Sequence, residues 1–146
     1  MTESGVEPTA RSNRWLRAVG YGILAELSTI VTIVVVVVVY KVAIARDLTE
    51  AQYAAFGERV GAILGVVAGT VFTFVLAALL MHRLTERYVA HGLVVALTAV
   101  AFSVTGSIAG HHGVPGAYLL ASALKIAAGA LAGFLVTRRS LAKPGY

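Results

Sequence analysis

Glu26 and Lys125 are the residues of this 146-residue chain best placed to do chemistry, each a lone charge inside a long apolar run. An ionisable side chain is expensive in hydrocarbon. Such residues therefore face a bundle interior and mark either a path for protons or ions, or an internal pair. Glu26 shares a helical face with Gly22, Thr29 and Ile33, at spacings of three, four and seven. Lys125 sits on a four-residue stripe with Ala117, Ala121, Gly129 and Gly133. Both faces carry small or polar residues, as bundle-facing positions do. At 1.5 Å per residue the axial offset between the two charges is on the order of 7 Å, within reach of two long side chains. An intramembrane charge pair that sets helix register, or docks a partner, is the preferred reading. A relay is the alternative and requires further polar residues leading to both surfaces.

The histidines offer weaker chemistry. His82 and His91 fall near the ends of adjacent spans and are the weak candidates for a metal site, but no carboxylate accompanies them at a metal-motif spacing. His111 and His112 belong to the opposite side. All four are expected to be interfacial side chains, with no metal bound. There is no Cys, which excludes disulfides and thiolate sites. No nucleophile elbow, phosphate loop or dinucleotide fingerprint is present, so no catalytic residue, cofactor or enzymatic activity is expected. Ser28, Thr29, Thr32, Thr70, Thr73, Thr98, Ser103 and Thr105 lie within apolar runs. They are expected to bond to helix backbone.

The elements that position these residues follow from composition. The chain is 58% hydrophobic and 13% charged, where soluble domains run to roughly 25% charged. The apolar residues gather in runs long enough to cross a bilayer core of about 30 Å. The expected fold is all-α: a polytopic membrane protein built as a bundle of four transmembrane helices with short loops. The spans fall at about 18–40, 60–81, 89–109 and 117–136 within a transmembrane domain of residues 17–139. Residues 1–16 read as a disordered cytoplasmic tail, and residues 140–146 as a cytoplasmic tail at the other end. The basic start and Ala43-Ile44-Ala45 resemble a signal peptide, but residues 18–40 are about twice the usual length of its apolar region. Residues 34–39 are all valine. In hydrocarbon a lone strand would leave its backbone unpaired, so helix is expected despite the β-branching.

Between the first two spans, Asp47 with Glu50, or Thr49 with Gln52, has capping-box spacing, so a helix starts near Thr49. Whether residues 49–59 extend the second span or bend away at Gly57 is open at this level. Tyr40, Lys41, Tyr53 and Phe56 suit the headgroup region. Gly61, Gly65 and Gly69 form one small-residue stripe, Gly106 and Gly110 a second, and Gly129 and Gly133 a third. Such glycine-zipper spacing permits close helix packing, with one stripe left for a second copy. Residues 110–116 read as a tight turn.

Charge sets orientation. Arg11, Arg14, Arg17, Arg83, Arg87, Arg138, Arg139 and Lys143 fall on one side, against Lys41, Arg46 and Arg59 on the other. The positive-inside rule then puts both termini in the cytoplasm, and explains the net charge of +5 without nucleic acid. The expected partners are the lipid bilayer and either a further copy of the chain or another membrane protein. The last span is marginal by itself. Leu119, Leu120, Leu124, Ile126, Leu131, Phe134, Leu135 and Val136 contribute about 0.3–0.6 kcal/mol each, whereas a central Lys costs roughly 3 kcal/mol.

With the spans placed, His91-Gly92 opening the third span and Gly129-Ala-Leu-Ala-Gly133 followed by Arg138-Arg139 carry a resemblance. Over residues 18–139 the chain is similar to small four-helix bacterial membrane-protein families. The resemblance implies a bacterial cytoplasmic (inner) membrane and no particular activity. The expected role is a non-enzymatic accessory, scaffold or assembly subunit. The alternative is a small transporter or proton/ion-coupled component acting as an oligomer through Glu26 and Lys125.

Overall fold

A computed structural model of the chain describes residues 8–45, 48–109 and 116–141. These residues form four helices: α1 (Pro8–Val39), α2 (Glu50–Met81), α3 (Tyr88–Ala109) and α4 (Gly116–Leu141). Four helical segments are long and apolar enough to cross a membrane: Asn13–Ile44, which runs on past the end of α1, Glu50–Met81, Tyr88–Ala109 and Tyr118–Leu141. The protein is an all-α, multi-pass membrane bundle.

The outside of the bundle is apolar. Val31, Val35, Ile63, Val67, Leu97, Leu119 and Leu131 are among many large side chains more than half exposed. In water such a surface would aggregate; in hydrocarbon it is solvated. The inside is built from small residues. Ala18, Ala25, Ala77, Ala96, Ala99 and Ala132 are at most 1% exposed. Apolar side chains gain nothing by leaving lipid for protein, so close backbone approach holds the helices instead.

Around the bundle the order is α1, α2, α4, α3, with each helix packed on its two neighbours. α1 and α4 therefore stand on one diagonal and α2 and α3 on the other, and of the two diagonals α2 and α3 make the closer contact. α1 and α2 each have 32 residues, about 48 Å, whereas α3 has 22, about 33 Å. The hairpin joining α1 to α2 therefore extends beyond the rest of the bundle.

That hairpin answers the question left at residues 49–59: Thr49 caps α2 and residues 50–59 are its start, a helix continuous through Gly57. The Thr49–Gln52 box is the one that forms. The Gln52 amide donates to Thr49 Oγ1 at 3.4 Å, and the Thr49 amide donates to Gln52 Oε1 at 2.8 Å. After Val39 the backbone of α1 widens into a π-helical turn, Tyr40–Ile44. Tyr53 donates its hydroxyl to the Ala45 carbonyl. Tyr40 stacks on Phe56 with centroids 3.8 Å apart, and Lys41 Nζ lies 4.7 Å above the Tyr53 ring.

One expectation needs correction. The tail of residues 1–16 is not disordered throughout: α1 begins at Pro8, a residue pre-set for the first turn of a helix. Residues 1–7 lie outside the described set, as do 142–146. The helix that carries the second span begins at Glu50, where the Thr49 capping box places its start. Of the expected turn at 110–116, residues 110–115 lie outside the described residues and Gly116 is the first residue of α4.

Candidate functional site

Glu26 on α1 and Lys125 on α4 meet across the bundle diagonal. Lys125 Nζ donates to Glu26 Oε2 at 2.6 Å. Their side chains are 8% and 3% exposed respectively. Ser103 on α3 joins them: its hydroxyl donates to Glu26 Oε1 at 2.8 Å and lies 3.4 Å from Lys125 Nζ. Each carboxylate oxygen thus accepts one hydrogen bond. Gly69 on α2 completes the ring, since a Cβ there would lie 2.7 Å from Lys125 Cε. Every helix contributes one residue.

The local reasons are legible in each element. On α4 the buried face is Lys125, Ala128, Gly129, Ala132 and Gly133, the three- and four-residue periodicity of a helix. The small neighbours leave the long Lys side chain as the only one able to span the diagonal. On α2 the face is Gly69, Thr73, Ala77, Leu80 and Met81. Thr29 and Thr73, both buried near the pair, satisfy their own hydroxyls on the carbonyls of Ala25 and Gly69 at 2.9 and 2.7 Å. Thr32, Thr70 and Thr105 bond back to their helices in the same way. Ser103 differs, because its hydroxyl goes to a side chain on another helix.

Burial of both charges makes their contact strong and their separation costly. A lone buried ion in a low-dielectric interior is far less stable than the pair. The arrangement suits a static lock more than a carrier: both carboxylate oxygens and the ammonium are engaged within one closed triad.

The glycine expectations divide. Gly129 and Gly133 do pack closely. A Cβ on Gly129 would run into the Gly92 carbonyl and lie 2.8 Å from Ala96 Cβ; on Gly133 it would lie 2.5 Å from Val89 Cα. Gly69 packs on Lys125. Gly61, Gly65 and Gly106 do not pack on the described residues, since a Cβ at each would meet none of them within 4 Å. On α2 only Gly69 of the stripe is buried; Gly61 and Gly65, eight and four residues nearer the start of the helix, are half-buried. Gly110 lies outside the described residues.

Two further glycines pack closely: Gly22, which helical spacing puts on the face of Glu26, and Gly92, which belongs to no glycine repeat on its own helix. A Cβ on Gly22 would lie 2.5 Å from the Val95 carbonyl oxygen, and one on Gly92 would enter the Gly129 carbonyl. Their partners lie on other helices, so no spacing within one helix reveals them.

His82 and His91 stand in different surroundings. His82 is exposed at the end of α2, while His91 is 3% exposed and stacks on Trp15. His91 is thus buried beneath Trp15 rather than exposed. Among the described residues no group of three or more His, Cys, Asp or Glu is placed to hold a metal. His111 and His112 lie outside those residues. No protein family, curated protein or solved structure matches the chain.

Proposed function

We propose that the protein is a non-enzymatic accessory, scaffold or assembly subunit of a bacterial cytoplasmic membrane, with both termini in the cytoplasm. The closed Glu26–Ser103–Lys125 triad is the observation that carries this reading. Its charges are spent on one another and on Ser103, so they serve the bundle's own register. A transport path would instead need polar groups continuing to both surfaces. Orientation is supported by the described basic side chains. Arg14, Arg17, Arg83, Arg87, Arg138 and Arg139 gather at one end of the bundle, against Lys41 and Arg59 at the other.

An accessory role requires a partner: a second copy of the chain or another membrane protein, and not nucleic acid. Purification in mild detergent tests it. The wild type is expected to run as a defined assembly larger than one chain. A defined monomer with no co-purifying membrane protein argues against the role. Proton or ion flux through reconstituted vesicles that is abolished by Glu26→Gln would replace the role with transport.

A further inference from the structure

A second polar cluster lies where the start of α1 meets the connection between α2 and α3. A small cavity of about 20 Å³ there is lined by Arg14, Trp15, Glu86, Arg87 and His91, enough for a single oxygen atom. His91 stacks on Trp15 with centroids 4.3 Å apart and ring planes 12° from parallel. Its Nδ1 lies 3.0 Å from the Arg87 carbonyl. A carbonyl only accepts, so Nδ1 holds the hydrogen and donates it. The other nitrogen, Nε2, is buried and has no hydrogen-bond partner among the described residues. A buried polar atom left this way is unfavourable and calls for an occupant.

The charges around the cavity specify what kind. Arg14 and Arg87 bring two guanidinium groups, and Glu86 is the carboxylate facing them. Glu86 Oε1 stands 3.8 Å from Arg14, beyond hydrogen-bond distance, and its side chain is 66% exposed. A stronger anion can displace it. The first turn of α3 holds no acidic residue, so the positive end of that helix is not neutralised there. Arg87, just before α3, adopts a left-handed φ of 56°, a strained backbone that the surroundings must hold. Trp15 and Arg87 stand at the ends of their spans, at the depth of lipid headgroups.

We propose that this recess binds an anionic phosphodiester lipid headgroup that carries a hydroxyl. The phosphate oxygens accept from Arg14 and Arg87 in place of Glu86. The headgroup hydroxyl occupies the cavity and donates to His91 Nε2. The site rests on the membrane setting of the bundle and is independent of the accessory role.

The chain's single tryptophan is Trp15, so its fluorescence reports from the site. The test titrates the full chain, in neutral detergent, with phosphatidylglycerol, phosphatidylcholine, phosphatidylmethanol and inorganic phosphate. Phosphatidylglycerol is expected to give a saturable change and phosphatidylcholine none. Arg87→Gln raises the half-saturating concentration about tenfold, the scale of one charge-assisted hydrogen bond. Arg138→Gln, at the same end but outside the recess, leaves it within about twofold, and Glu86→Gln lowers it. Phosphatidylmethanol, which lacks the hydroxyl, binds roughly fivefold more weakly than phosphatidylglycerol, and His91→Phe removes that difference. The wild-type comparison of these two lipids carries the point if His91→Phe does not fold. No saturable response, or equal weakening by Arg138→Gln, overturns the site. Saturation by inorganic phosphate at the lipid's concentration overturns the lipid assignment. Equal binding of phosphatidylglycerol and phosphatidylmethanol overturns the role of Nε2.

Discussion

Gly69 and Lys125 fit together because one lacks what the other needs room for. The backbone of Gly69 lies against the Lys125 stem, and any side chain there would stand 2.7 Å from Cε. Gly69→Ala must therefore push the ammonium off Glu26 or shift α2 from α4. A loss of about 1–3 kcal/mol in unfolding free energy is expected, the usual scale of overpacking. Gly61→Ala and Gly65→Ala, where nothing stands nearby, should stay within about 0.5 kcal/mol. Thermal unfolding in detergent compares the three.

Neutralising one partner of the central pair leaves the other charge buried alone. Lys125→Met and Glu26→Gln should each cost about 3–5 kcal/mol. The double variant Glu26→Gln, Lys125→Met should recover most of that loss, because no unpaired charge remains. If the double variant is as unstable as the sum of the singles, the two residues do not act as a pair.

Ser103 supports the carboxylate from a third helix. Ser103→Ala removes the hydrogen bond to Glu26 Oε1 and should destabilise by about 1.5–3 kcal/mol, the range for bonds to charged groups. In the Glu26→Gln background the same change should cost less. A double-mutant cycle on these two positions measures the difference.

The contact between α3 and α4 is tighter still. Gly92 and Gly129 face each other backbone to backbone, with each carbonyl where the other's side chain would be. Neither obstacle is a flexible side-chain end. Gly92→Ala and Gly129→Ala should therefore fall at or above the top of the about 1–3 kcal/mol range, whereas Gly106→Ala should be silent. Accumulation in membranes and unfolding midpoints both read this ranking.

The capping box is separable from all of these. Thr49→Ala removes the acceptor for the Gln52 amide and should loosen the first turn of α2 by about 1 kcal/mol. Hydrogen exchange should rise over the first turns of α2 while the Glu26–Lys125 region keeps its protection.

How much of this was legible beforehand depended on distance along the chain. Thr49 and Gln52 sit three residues apart, and their geometry is a property of one helical turn, so spacing sufficed. The valine run was decided by the solvent: only an internally bonded helix satisfies its backbone in hydrocarbon. The length of the apolar runs determined the count of spans, and the two buried charges announced themselves by their cost. What the sequence by itself determined is therefore an all-α bundle of four membrane-crossing helices with Glu26 and Lys125 turned inward. Only the tertiary structure decided which glycines pack, that Ser103 completes the charge triad, and that His91 lies beneath Trp15. Those relations join residues such as Gly92 and Gly129, or Ser103 and Glu26, on different helices. Their contacts depend on how each helix is rotated about its own axis, and a one-residue shift turns a helix by about 100°. No pattern within a single helix holds that information.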